Sequence, residues 1–159
     1  MTKKKIGWES QATEISYVIF DIKEPLPPIK SEKDIKYFLL EKLGVVCDSI
    51  KKPRHKRFIY LMEFKQDVTP EQVDEIAKQK KLKPLKVDAL YLLQTNEVWC
   101  KRLKHVSTNN IFLSMEEVAH TCCRGKVVCF VTFNGKVVSL LPKKECPTIS
   151  KKTTILFES

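Results

Sequence analysis

Apolar and polar positions alternate along this chain in blocks that predict a mixed α and β architecture. Ile15 to Ile22 (ISYVIFDI) is a dense β-branched and aromatic run, which predicts a strand covered on both faces. Pro25, Pro27 and Pro28 end it. Ser31 and Asp34 have capping-box spacing, with Asp in place of Glu or Gln. Ile35, Phe38, Leu39 and Leu43 then recur on one helical face, and Gly44 is placed to end that helix. Val45 to Ile50 predicts a short strand and Phe58 to Phe64 (FIYLMEF) a strong one.

A second helix is predicted from Thr69, Pro70 and Gln72, which supply an N-cap, a first-turn proline and a capping box. Val73, Ile76 and Ala77 give it a narrow apolar stripe, and lysines at 78, 80 and 81 suit its negative end. A further strand is expected from about Leu85 to Leu93. Short strands are expected at Glu97 to Leu103 and Ile111 to Leu113, and a helical turn or two at Ser114 to His120. Asn134-Gly135 permits the positive φ angles of a tight hairpin turn, so Val127 to Phe133 and Lys136 to Leu141 predict a β-hairpin. The expected organisation is a polar arm over 1–12, an α+β domain over 13–95, a small β-rich part over 96–145, and a tail over 146–159.

Charge adds a partner class. Lys and Arg number 29 against 19 Asp and Glu, a net charge of +10. That excess suits a polyanion, because neutralising phosphates releases counterions. Lys51, Lys52, Arg54, Lys56 and Arg57 form one basic cluster, and Lys78, Lys80, Lys81, Lys83 and Lys86 a second. Lys101, Arg102 and Lys104 form a third. Candidate phosphate contacts are Lys51, Lys52, Arg54, Lys56, Arg57, Lys81 and Lys83.

Catalytic and cofactor signatures are not found. The four glycines (Gly7, Gly44, Gly125, Gly135) are too dispersed for a phosphate cradle or a dinucleotide fingerprint. His55, His105 and His120 have no spacing that suggests a dyad. A small nuclease would need clustered carboxylates, for which Asp21, Asp48, Glu63 and Asp67 are the strand-end candidates. Cys100, His105, His120, Cys122, Cys123 and Cys129 lack paired metal-ligand spacing, so no metal or cofactor is expected. The start, MTKKKIG, has no apolar core of a secretory signal, and no run approaches the length of a membrane helix. The six cysteines are therefore expected as thiols in a nuclear or cytoplasmic protein.

The β-α-β-β-α-β order over 13–94 is that of a ferredoxin-like domain, and it resembles the RNA recognition motif. SYVIFD (16–21) looks like the first signature of that family, with Tyr17 as the stacking aromatic. RFIYLMEF (57–64) looks like the second, but Ile59 and Leu61 stand where the family stacks bases on aromatics. Phe58, Tyr60 and Phe64 fall on the opposite face, which is expected to be the core. An aliphatic outer face at Ile59 and Leu61 is expected to be covered by a protein partner, by a second copy, or by the C-terminal segment folding back. RGKVVCFVTFNGKVVSLL (124–141) also resembles a strand pair of a small Sm or Tudor barrel. The function expected is an RNA-associated adaptor without enzymatic activity, or else an assembly subunit that binds only protein.

Overall fold

A computed structural model describes residues 15–28, 31–47, 56–121, 125–132, 137–146 and 148–159. It is an α+β protein built on one eight-stranded sheet. The order is β1 (Tyr17–Asp21), β3 (Ile59–Phe64), β8 (Thr153–Glu158), β5 (Ile111–His120), β6 (Lys126–Thr132) and β7 (Val137–Pro142). Two short strands are added beside this path. β2 (Val45–Val46) pairs with β5, and β4 (Lys83–Pro84) pairs with β8. The β5–β8 pair is parallel and the others are antiparallel.

Among the described residues, four α-helices pack on the sheet: α1 (Glu32–Leu43), α2 (Pro70–Gln79), α3 (Asp88–Thr95) and α4 (Glu97–Val106). Their caps follow local chemistry. Ser31 Oγ accepts from the Asp34 N–H, and Thr69 and Gln72 make a reciprocal capping box. Asn96 Oδ1 accepts from the N–H groups of Val98 and Trp99 at the start of α4. Gly44 ends α1 with φ 65, and its N–H bonds back into the last turn. A Cβ at Gly44 would lie 2.7 Å from His120 Nε2. Gly44→Ala is therefore expected to lose at least the roughly 1–2 kcal/mol of a left-handed non-glycine residue. A urea midpoint that does not move would show that the cap is not under this constraint.

Alternation along β3 divides the core. Ile59 and Leu61 share one face with Phe20, Leu156, Phe112, Cys129 and Val131, beneath α1, α3 and α4. Met62 and Phe64 share the other with Leu113, Val128, Ile155 and Phe157, beneath α2. A strand covered on both faces loses its one-sided pattern, so its sequence does not fix which face meets which helices.

Several expectations are corrected here. Residues 85–93 do not form a strand: β4 ends at Pro84 and α3 follows. Residues 97–103 lie in α4, and 114–120 belong to β5. The expected tail supplies β8, an interior strand between β3 and β5, so one sheet spans residues on both sides of position 95. Ile59 and Leu61 are fully buried within the chain: α1 and α3 cover them together with α4, which lies in the C-terminal part, so a partner or second copy is not their cover. The hairpin strands are present as β6 and β7, while the Asn134-Gly135 turn lies outside the described residues. Among the described residues, no helix is long and apolar enough to cross a membrane.

Candidate functional site

Described members of two basic sequence clusters, Lys56 of the first and Lys81, Lys83 and Lys86 of the second, meet at one end of the sheet. Ile59 of β3 and Lys83 of β4 both pair with Glu158 of β8, from opposite sides. Two strand spacings, about 10 Å, therefore separate backbone segments that lie more than twenty residues apart in sequence. Lys56, Lys81, Lys83 and Lys86 are exposed around this end. The end of β1 joins it, because the Ile22 N–H bonds to Ile59 O and the Leu26 N–H to Arg57 O.

Arg57 organises the interior of this end. Its Nη1 and Nη2 donate to the two oxygens of Asp88 at 3.1 and 3.0 Å. Its Nε and Nη2 donate to Glu158 at 3.0 and 2.7 Å. All three side chains are buried, so the guanidinium fork satisfies two carboxylates at once. The Lys86 N–H adds a bond to Glu158. Burial pushes the Glu158 carboxyl up, but hydrogen bonds and charge from Arg57 and Lys86 outweigh it, and the net direction is down. Burial lowers Arg57 and its two carboxylate partners raise it, for a net rise. Glu116 accepts from the Val87 N–H beside this cluster, and burial raises its carboxyl despite that bond.

Arg57, expected to touch phosphate, is thus a core ion-pair residue: its donors are spent on Asp88 and Glu158. Lys56, Lys81 and Lys83 are exposed, and Lys51, Lys52 and Arg54 lie outside the described residues. Tyr17 packs its ring at 5.9 Å from that of Phe64 and lines an open groove with Glu71 and Glu75, carboxylates that repel phosphate. Asp88 and Glu158 gave no signal in the sequence, because their partner is remote in the chain.

A second polar group on the β3–β8 pair is closed on itself. Ser107 and Thr154 hydroxyls both bond to Glu63 Oε2, and the Asn109 amide bonds to Thr154 Oγ1 at 3.1 Å. Ser107 and Thr154 are buried, so this network ties the end of α4 to the sheet. Of the strand-end carboxylates, Asp48 lies outside the described residues, and Asp67 accepts from the Lys151 N–H. Cys47, Cys100, Cys129 and Cys146 form no disulfide. Burial, with a smaller contribution from Glu116, pushes the Cys129 thiol up to about 12 and keeps it protonated. Compared with known proteins, the chain matches no family model, no curated protein and no solved structure.

Proposed function

We propose that this chain is a nucleic-acid-associated binding protein, an RNA adaptor that touches phosphates with the lysine-rich end of its sheet. The observation that carries the reading is the register at Glu158, which brings Lys56 and Lys83 to one end. The buried acids of that end, Asp88 and Glu158, are turned inward onto Arg57, while Lys56, Lys81, Lys83 and Lys86 are exposed. The four exposed lysines outweigh the single negative charge that Arg57 leaves on its two carboxylates, and a net cationic end favours a polyanion. The RRM-like, ferredoxin-like likeness adds little to this. Of its sheet, the described strands keep β1 beside β3, and Tyr17 stands by acidic neighbours.

The reading is tested by salt titration against random-sequence single-stranded RNA. Replacing Lys56, Lys81 and Lys83 with Gln is expected to weaken binding to all sequences and to flatten the slope of log affinity against log salt by roughly 0.7 per lost contact. Thermal melting of the variant should match the parent. Unchanged affinity and slope, or a parent that does not bind, would remove this function.

One observation favours a protein-only assembly subunit. Tyr37 and Leu40, one turn apart on α1, are 67% and 46% exposed. That reading gains if the parent binds no RNA.

A further inference from the structure

A groove of about 570 Å³ lies between the end of β1 and helix α4. The size is that of a small-ligand cleft. One wall is a stripe of α4: Val98, Lys101, Arg102 and His105 recur at helical spacing and face the groove together. Lys23 stands on the opposite wall. Val98 is 55% exposed, an apolar surface beside three cationic or ionisable side chains.

Each group suits one part of a nucleotide. Lys23 and Lys101 are exposed ammonium groups, fit for phosphate. Arg102 is held as a plate: Glu24 binds it at 2.9 Å and its guanidinium lies 5.0 Å over the Trp99 ring. The Glu24 charge is thereby offset, leaving Asp21 as the other carboxylate on the rim. The His105 imidazole is a second exposed plane. Guanidinium and imidazole planes stack on unpaired bases, which a duplex keeps inside.

We infer that this groove is a nucleotide subsite, in which the strand that crosses the lysine-rich end seats an unpaired base against Val98 and His105 and its phosphates against Lys23 and Lys101. The inference rests on the phosphate-contact reading above and names its substrate class, single-stranded RNA. Continuity supports it, since Ile22 of the groove is hydrogen-bonded to Ile59 at the lysine-rich end.

The test compares an oligouridylate with a blunt-ended RNA duplex on the full chain. Lys23→Gln with Lys101→Gln is expected to flatten the oligouridylate salt slope by about 1.4, two contacts of roughly 0.7 each. His105→Ala is expected to weaken oligouridylate binding about tenfold, the loss of one stacking plane, and to leave duplex binding unchanged. His105→Phe keeps a ring and should restore the affinity. If these variants bind the single strand as the parent does, while the Lys56, Lys81 and Lys83 variant loses affinity, the groove is not a subsite and the phosphate reading stands. Equal losses for single strand and duplex in His105→Ala would likewise exclude base stacking. If the parent binds neither RNA, the underlying reading fails first.

Discussion

Leu61→Glu is expected to unfold the protein rather than detach a partner from it. Leu61 is fully buried and lies between Phe20 of β1 and Leu156 of β8 in the cross-strand register. The same cluster contains Ile35 and Leu39 of α1 and Leu90 of α3. Truncating a buried leucine costs about 2–5 kcal/mol, and a carboxylate with no counter-charge adds several more. The sum rivals the roughly 5–15 kcal/mol stability of a whole domain. Far-UV circular dichroism should show loss of the folded spectrum at room temperature. Leu61→Met conserves volume and should stay folded, at a cost below about 1.5 kcal/mol. A folded Leu61→Glu with parental melting and an altered oligomeric state would restore the interface this residue was first expected to form.

The second large effect belongs to Arg57. Arg57→Leu leaves Asp88 and Glu158 buried without their cation, and a loss of about 3–5 kcal/mol near neutral pH is expected. Replacing all three residues with leucine should recover most of it, because the penalty is an uncompensated charge and not missing volume. The pH dependence has a definite sign. The folded Glu158 carboxyl lies below the ordinary value of 4.5, so its contribution is present above that value and is lost as pH falls through the folded one. Arg57→Leu lacks this contribution, so the gap between parent and variant should narrow as pH falls below 4.5. Glu116 acts oppositely: its carboxyl is raised, so it favours the fold most at low pH and less as pH rises through its window. Urea melts of both proteins between pH 3 and 7 measure this, and a gap independent of pH would remove charge as the cause.

Much of the local structure was legible without coordinates. The Ser31 and Thr69 caps, the Gly44 stop and the stripes Ile35–Leu39–Leu43 and Val73–Ile76–Ala77 each lie within one short segment, where propensity and hydrogen bonding act. The strands at Tyr17–Asp21, Ile59–Phe64 and Lys126–Thr132 are β-branched and aromatic enough to read directly. A missed signal was also local. Asn96, Glu97 and the Trp99–Leu103 pair mark a capped amphipathic helix at α4, but its Val and Trp suggested a strand. For α3 no local signal decides: VDALYLL is apolar nearly all round because it is packed between the sheet and neighbouring helices, and periodicity fails for such runs.

Tertiary contacts decided the rest. TTILFE becomes an interior strand because β3 and β5, about 90 and 40 residues earlier, offer it open edges, and no local pattern encodes a remote partner. The direction in which Ile59 and Leu61 point followed from which helices cover which face, since both faces of that strand are apolar. The candidate site divides the same way. The sequence by itself established an excess of lysine and its clusters. Only the fold removed Arg57 from them, by placing Asp88 and Glu158 within reach of its buried guanidinium, and brought Lys56 and Lys83 to one end of the sheet.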